Sequence, residues 1–396
     1  MKDKKTIVIG VTGGIAAYKA LDIISKLKKA DFDVHVIMTE HATKFVNPLS
    51  FQSLSQNMVI TDMFAEPRAW EIQHISLAKK ADLMLIVPAT VNIIGKVANG
   101  IADDMLSTTI MATKAPVVFA PAANTNMYLN PIVQDNIKKL KMLGYKFIDP
   151  DEGRLACGDS GAGKLADTNL ISDIVISKLY DIKDLKGKKV LVTAGPTISS
   201  IDPVRYITNR SSGKMGYAIA EEARDRGAEV ILISGPCSIP KPFGIDLIKI
   251  KHNHEMLKAV EDNFESADIV IKAAAVADYK PKTYSTSKIK KNTDDLTIEF
   301  QKDTDILKKL GSMKKNQILV GFAAESDDLL KNAQSKLEKK NLDYIVANDI
   351  TCGDTGFASD ENKVNILCRD GNNISIPKMS KRMVARELFN IIRKKR

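Results

Sequence analysis

The sequence predicts two successive α/β domains, each a doubly wound, mostly parallel sheet of flavodoxin- or Rossmann-like type. Strand and helix patterns alternate along all 396 residues, the signature of parallel sheets covered on both faces. The strand segments are continuous apolar runs rather than alternating ones, as burial on both faces requires. A complete alternating set also begins afresh near Lys189, and the length exceeds what one core ordinarily serves.

In the first half, Lys5–Val11 reads as a buried strand. Ile15–Lys29 follows as a helix with Tyr18, Leu21, Ile24 and Leu27 along one stripe. Asp33–Thr39, Leu83–Ala89 and Pro116–Ala122 are the next strands. Helical patterns cover Asp104–Thr113, Pro131–Leu143 and Asp167–Tyr180. A polar, lysine-rich connector, Asp181–Lys189, separates the halves, so the predicted domains are 1–189 and 190–396. The second half reads as strands at Lys189–Ala194, Glu229–Ser234, Ile269–Ala277, Gln317–Ala323 and Asp343–Ala347. Its helices are Lys214–Arg226, Asp327–Lys340 and Met379–Lys394. In such sheets ligands bind beyond the C-terminal ends of the strands, so the loops there carry the chemistry.

Composition excludes several classes. No run of 18 apolar residues is present, so no membrane-spanning helix is expected. The start, Met1 to Tyr18, superficially imitates a signal peptide, but Gly13-Gly14 interrupts it and no cleavage site follows. Cys157, Cys237, Cys352 and Cys368 are scattered without a Cys-x-x-Cys, and the five histidines show no zinc spacing beside them. A reducing cytoplasm is the expected location. The formal charge of +10 is spread over the whole length without a nucleic-acid-binding motif. It reads as a solvated surface or as affinity for small phosphorylated ligands.

Gly10-Val-Thr-Gly13-Gly14 follows the first strand and opens a helix, where glycines and free N–H groups suit a phosphate. The spacing is not G-x-G-x-x-G, so the segment is either a mononucleotide-phosphate site or a tight turn. His74 lies where no clear strand or helix is written, and Asn124 follows a strand as a turn residue or cap would. Cys157 sits in a glycine-rich loop flanked by glycine and acid, an unusual setting for a structural cysteine. In the second half, Asp202–Gly216 is dense in hydrogen-bonding side chains. Arg205, Asn209 and the Ser211–Gly213 backbone suit an anionic acid, or simply cap a helix. Five lysines lie between Lys280 and Lys291, with Lys288 and Lys290 on one face if extended. Lys336 and Lys340 are four apart on a helix, where like charges repel; the pair reads as solvated surface or as a site for a triphosphate, which would reverse the sign. Asp278, after an apolar strand, is placed to meet a magnesium–nucleotide complex.

The motifs Gly-Gly-Ile-Ala-Ala-Tyr-Lys19, His74-Ile-Ser, Pro88-Ala-Thr-Val-Asn92, Ala98-Asn-Gly-Ile-Ala-Asp-Asp104, Pro121-Ala-Ala-Asn124 and Ala156-Cys-Gly-Asp159 occur in the order seen in flavin-dependent cysteine decarboxylases. The first half resembles phosphopantothenoylcysteine decarboxylases. The second half resembles phosphopantothenate–cysteine ligases through Ala194-Gly-Pro-Thr197, Asp202-Pro-Val-Arg-Tyr206, Ser211-Ser-Gly-Lys-Met-Gly216, Ala273-Ala-Ala-Val-Ala-Asp278, Lys288-Ile-Lys-Lys291 and Gly321-Phe-Ala-Ala-Glu325. The resemblance covers nearly the whole chain and is strongest to the fused bacterial form.

It implies coenzyme A biosynthesis: CTP-dependent ligation of cysteine to 4′-phosphopantothenate through an acyl-cytidylate, then FMN-dependent decarboxylation of the product. A cysteine carboxylate lacks an electron sink, and oxidation of its thiol carbon by FMN supplies one. By resemblance, Asn124 holds the substrate carboxylate, His74 assists thiol oxidation and Cys157 donates a proton. A thiol of pKa about 8.5 is protonated near neutrality and can act as an acid. Gly13, Gly14 and Thr39 match positions around the FMN phosphate, with Thr90 and Ser107 near the rest of the cofactor. In the ligase half, CTP contacts carry over to Asp278, Lys288, Asp303, Thr304, Asp305, Ile306, Phe322, Lys336 and Lys340. Arg205 and Asn209 match the phosphopantothenate site, with Asn209 on the activated acyl group. Mg²⁺ arrives with the nucleotide near Asp278, and Lys288 stabilises developing phosphate charge. The family usually has Met at the position of Ala123, often Trp at that of Tyr128, and Asn-Pro where Asp303-Thr304 stands.

The resemblance also implies a homo-oligomer, a dodecamer built from trimers of the first half and dimers of the second. Residues alone do not separate CTP from ATP. Two rival classes make different predictions: a nicotinamide dehydrogenase requires a G-x-G-x-x-G that neither half has, and a nucleic-acid binder requires salt-sensitive binding without turnover. Neither a nucleic-acid nor a membrane partner is expected.

Overall fold

A computed structural model describes residues 4–64, 72–155, 158–290, 296–325, 329–349 and 359–394. The chain forms two compact units that divide between Leu179 and Tyr180.

The first unit is built on β1 (Thr6–Val11), β2 (Asp33–Met38), β3 (Val59–Ile60), β4 (Leu83–Ala89), β5 (Val117–Pro121) and β6 (Lys146–Phe147). They form one sheet in the order β3-β2-β1-β4-β5-β6, with every pairing parallel. All residues of β1, β4 and β5 are buried, which is why these segments read as unbroken apolar runs. The strand order reverses between β1 and β4, and this switch point is where an open sheet offers a crevice. Helix Lys19–Lys29 covers one face through Ala20, Ile23, Ile24 and Leu27. The expected stripe is therefore rotated: Tyr18 is exposed, because a 3-10 turn at Ile15–Tyr18 precedes the helix and shifts its phase. A hairpin, β7 (Asp151–Arg154) with β8 (Ser160–Lys164), stands apart from the sheet.

The second unit adds β9 (Lys189–Ala194), β10 (Ile198–Ser200), β11 (Tyr206–Thr208), β12 (Glu229–Ser234), β13 (Asp246–Lys249), β14 (Ile269–Lys272), β15 (Tyr279–Pro281), β16 (Phe300–Lys302), β17 (Ile318–Glu325), β18 (Tyr344–Asp349), β19 (Glu361–Cys368) and β20 (Asn373–Ser380). Its main sheet runs β13-β12-β9-β14-β17-β18-β19-β20, parallel through β18 and antiparallel beyond it. The switch point lies between β9 and β14. The antiparallel β19–β20 extension was not expected, although Asp370-Gly371, with Gly371 at φ +87°, is a hairpin signal in the sequence. The closing helix accordingly starts at Lys381 rather than Met379, which belongs to β20.

The strand expected over Ile269–Ala277 ends at Lys272. Beyond it the chain leaves the sheet to follow the loop after β9. The Ala274 N–H donates to Thr193 Oγ1 (3.2 Å), that of Ala275 to the Gly195 carbonyl (2.9 Å), and that of Ala277 to Thr197 Oγ1 (3.2 Å). The connector Asp181–Lys189 packs on the second unit. Leu185 is buried, its N–H donates to the Arg226 carbonyl (3.1 Å), and Lys188 pairs with Asp268 at 2.7 Å. Among the described residues no helix is long and apolar enough to cross a membrane.

Candidate active sites at the two switch points

In the first unit, Thr12 joins the loops after β1 and β4. Its hydroxyl donates to the Pro88 carbonyl (2.6 Å) and accepts from the Thr90 N–H (3.1 Å). Gly13 is required by packing, since a Cβ there would lie 2.4 Å from His41 Cβ. Gly14 is extended and leads into the Ile15–Tyr18 turn without any side-chain cap; the Ala17 N–H donates back to the Gly14 carbonyl (2.9 Å), and the Ile15 and Ala16 N–H groups before it receive no side-chain cap. Gly13 and Gly14 open onto a cavity of about 510 Å³ that also includes Thr90, Asn124, Leu155 and Lys164.

Asn124 reaches the cavity as the cap of the short turn Thr125–Tyr128. Its Oδ1 accepts from the Asn126 N–H (2.9 Å), and its Nδ2 donates to Asp159 Oδ2 (3.2 Å). The hairpin sits directly on this segment. The Ala123 N–H donates to the Gly163 carbonyl (3.0 Å), and a Cβ on Gly163 would lie 2.4 Å from the Ala123 carbonyl oxygen. Gly161 is equally tight against Thr125, at 2.7 Å from its Oγ1. Ala123, where the resemblance leads one to expect Met, lines the cavity; Tyr128 is partly buried against the core that includes Phe119.

The remaining sequence-predicted residues fall elsewhere. His74 lies on helix Gln73–Lys80, a helix the sequence reading did not find, and does not line this cavity. Thr39 caps helix Glu40–Thr43, its Oγ1 accepting from the Ala42 N–H at 3.3 Å. Ser107 is fully buried in a capping box with Asp104: its N–H donates to Asp104 Oδ1 (2.8 Å), and its Oγ accepts from the Asp104 N–H (3.2 Å). Cys157 lies outside the described residues.

In the second unit a cavity of about 350 Å³ opens at the switch point and brings together Asn209, Asp278, Phe322, Lys336 and Lys340. The loop Asn209–Gly213 leads into helix Lys214–Asp225, whose cap Gly213 adopts φ +79° and offers no side-chain oxygen. The first-turn N–H groups of this helix therefore face the cavity with a favourable dipole for an anion. The helix approaches β9 closely, because Gly216 leaves no room for a Cβ beside Ala194 (2.5 Å). Asn209 Nδ2 donates to the Ala275 carbonyl (3.1 Å).

Lys340 is paired with Asp305 at 2.7 Å. Asp305 also caps helix Ile306–Met313; burial works against its ionisation, but Lys340 and the Lys308 N–H hold its pKa below the usual range. Asp303 accepts from Lys280 (3.0 Å) and from the Thr304 N–H (2.8 Å), while Ile306 is buried in the core. Arg205 does not line the cavity. Its guanidinium binds Asp202 (3.0 and 2.9 Å) and the Ile289 carbonyl (2.5 Å). Burial opposes ionisation of Asp202, but the N–H groups of Val204, Arg205 and Ile289 hold its pKa down, to about 2. Lys288 is exposed on the loop this network pins, outside the cavity lining.

Three lysines escaped the sequence reading. Lys272, Lys214 and Lys381 all line the cavity. Lys272 ends β14, and burial, reinforced by Lys340, pulls its pKa down to about 8. Lys214 pairs with Asp360 at 2.6 Å. Lys381 is buried, donates to the Ser359 carbonyl, and has its pKa lowered by burial and by Lys214. A lysine closing the apolar run Ile269–Val–Ile is the one signal that marked Lys272.

Residues 1–180 match the family model described as Flavoprotein, and residues 185–395 match that described as DNA/pantothenate metabolism flavoprotein C-terminal domain. Fold and matches together define a fused two-domain flavoprotein, with a cavity in each unit. The coenzyme A biosynthesis bifunctional protein CoaBC of Bacillus subtilis (strain 168) is 49% identical over 395 residues, covering 99% of this chain and 97% of the relative. The protein of that name from Borreliella burgdorferi is 46% identical, covering 99% and 100% respectively. A solved structure of the C-terminal domain of a CoaBC protein is 44% identical, covers 53% of this chain and 96% of that one, and superposes with a TM-score of 0.46. The chain belongs to the bifunctional coenzyme A biosynthesis family, CoaBC.

Proposed function

We propose that the second unit ligates cysteine to 4′-phosphopantothenate using CTP and that the first unit decarboxylates the product using FMN. The observation that carries this reading is the presence of one cavity at each switch point. Each gathers residues that the family resemblance assigns to that reaction: Gly13, Gly14, Thr90 and Asn124 in one, Asn209, Asp278, Phe322, Lys336 and Lys340 in the other.

FMN fits the first cavity: Gly13 leaves the backbone bare against His41, the turn after Gly14 presents uncapped N–H groups, and the lining is mainly apolar. When bound, FMN supplies a hydride acceptor that later returns the hydride. Asn124, which already donates to the carboxylate of Asp159, holds the substrate carboxylate; Cys157 supplies a proton. His74 assists thiol oxidation.

In the ligase, the substrate carboxylate attacks the α-phosphate of CTP and expels pyrophosphate; the amine of cysteine then attacks the acyl carbon and displaces CMP, losing a proton as the amide forms. The uncapped start of helix Lys214–Asp225 and the lysines of the cavity balance phosphate charge. Mg²⁺ enters with CTP beside Asp278, and Arg205 and Asp202 fix the backbone next to Lys288 so that this lysine reaches the phosphates. The scattered cysteines support a cytoplasmic location.

Mass spectrometry after incubation with 4′-phosphopantothenate, cysteine, CTP and Mg²⁺ tests the assignment. The expected products are phosphopantothenoylcysteine and 4′-phosphopantetheine, with neither formed when CTP is omitted. Supplied phosphopantothenoylcysteine should lose carbon dioxide without any nucleotide. No cysteine adduct in the complete mixture would refute the ligase reading.

A further inference from the structure

The described lining of the first unit's cavity carries charge of one sign only. Its lining includes Lys19 at the start of helix Lys19–Lys29, Arg154 at the end of β7 and Lys164 at the end of β8, with no carboxylate among the described lining residues. None of these three cations has a hydrogen-bond or ion-pair partner among the described residues. An apolar cavity with uncompensated cations suits a ligand with a neutral body and an anionic end.

Lys19 and Lys164 lie at one pole. Both also line a smaller adjoining cavity, of about 350 Å³, together with Tyr18, Asp22, Asp151 and Asp167. Asp22 is already engaged by Lys26 (2.6 Å), and Asp167 accepts from the Asn169 N–H (2.8 Å). Asp151 and Asp167 are then the acids without a cationic partner among the described residues, set beside Lys19 and Lys164. Arg154 lies at the other pole. It pairs in register with Ser160 near the hairpin tip, whereas Lys164 pairs with Asp151 at the base. Four residue steps along the strand separate Ser160 from Lys164, a span of about 13 Å.

Two phosphates are available to the lysine pole, that of FMN and that of the decarboxylation substrate. For Lys164 the hairpin decides between them, and Lys19 joins it by lining the same adjoining cavity. It carries Lys164 and is seated on the Asn124 segment through Gly163, Gly161 and Asp159, whereas Gly13 and Gly14 belong to the β1 loop backed by His41. Resting on the function proposed above, we infer that Lys164 and Lys19 form the subsite for the 4′-phosphate of the decarboxylation substrate. One hairpin thus presents a lysine to the phosphate end and carries the residues that meet the cysteine end.

The test compares phosphopantothenoylcysteine with its dephosphorylated form, pantothenoylcysteine, on the full chain. Lys164→Ala and Lys19→Ala should each lower the kcat/KM preference for the phosphorylated substrate about tenfold, the effect of losing one charge-assisted contact. Bound FMN should be retained. Arg154→Ala, at the opposite pole, should move both substrates together. Lys164 is exposed at a strand end, so its variant stays informative even if the helix variant folds poorly. Wild-type preference in Lys164→Ala with FMN retained overturns this inference alone. Loss of FMN with riboflavin binding intact assigns the lysines to the phosphate of the cofactor and also overturns it. A wild-type chain that decarboxylates neither substrate overturns the functional reading itself.

Discussion

Lys272 shows most clearly what burial does to one side chain. An ammonium at the end of an apolar strand, with Lys340 nearby and no hydrogen-bond partner among the described residues, loses part of its preference for the charged form. With a pKa of about 8 it is largely charged at pH 7 and largely neutral at pH 9. A bound polyphosphate reverses the balance by favouring the ammonium. CTP affinity, measured by calorimetry, should therefore fall as pH rises through about 8 and be accompanied by proton uptake on binding. Lys272→Met should bind CTP more weakly at pH 7 and show a flatter profile. An identical pH profile in the variant would remove Lys272 from the nucleotide site. Lys336 and Lys340 stand out in the sequence by their spacing, which suits solvated surface as well as a polyphosphate; the structure places both on one cavity, with Lys340 paired to Asp305. Arg205 was legible as an anion-binding residue, yet its guanidinium is taken up by Asp202 and Ile289, a pairing across 84 positions that no local pattern announces.

At the scale of elements, the β7–β8 hairpin shows why glycine-rich loops are hard to interpret from sequence. Its glycines look like simple flexibility, and two of them are close contacts instead. Gly163 is held at φ +126°, a left-handed region that favours glycine, and its missing Cβ lets the strand lie against Ala123. Gly163→Ala should lift the hairpin from the Asn124 segment. We expect kcat/KM for decarboxylation of supplied phosphopantothenoylcysteine to fall about tenfold or more, with the flavin absorbance of the purified protein unchanged. Normal turnover would show that this contact does not position the site. The helix carrying His74 was missed for a different reason. Its polar face leaves only Leu77 and Ala78 buried, so the local pattern is too thin to show a stripe.

At the scale of the molecule, the division between Leu179 and Tyr180 sets where the chain can be cut. Separate fragments 1–179 and 180–396 should both fold, the first binding FMN and decarboxylating, the second colourless and ligating with CTP. Cutting at Lys189 instead strips Leu185 and the Lys188–Asp268 pair from the second unit. The lost burial of Leu185 alone costs about 2 kcal/mol, so this shorter fragment should melt several degrees lower by calorimetry. Equal melting temperatures for the two C-terminal fragments would return Tyr180–Lys188 to the role of a passive linker.

The sequence by itself determined the two doubly wound units and most of their central strands, because strands buried on both faces must be written as unbroken apolar runs. It also marked the loops after those strands and, through family motifs, the residues at issue in each reaction. Only the tertiary structure decided which of them share a cavity. Parallel neighbours such as β1 and β4 or β9 and β14 are far apart in the chain, so their loops meet only after the sheet has formed. That meeting placed Lys272 and Lys381 beside Asn209, drew Arg205 away to Asp202, and gave the connector to the second unit. Each depends on long-range packing and hydrogen bonding, which local periodicity does not encode.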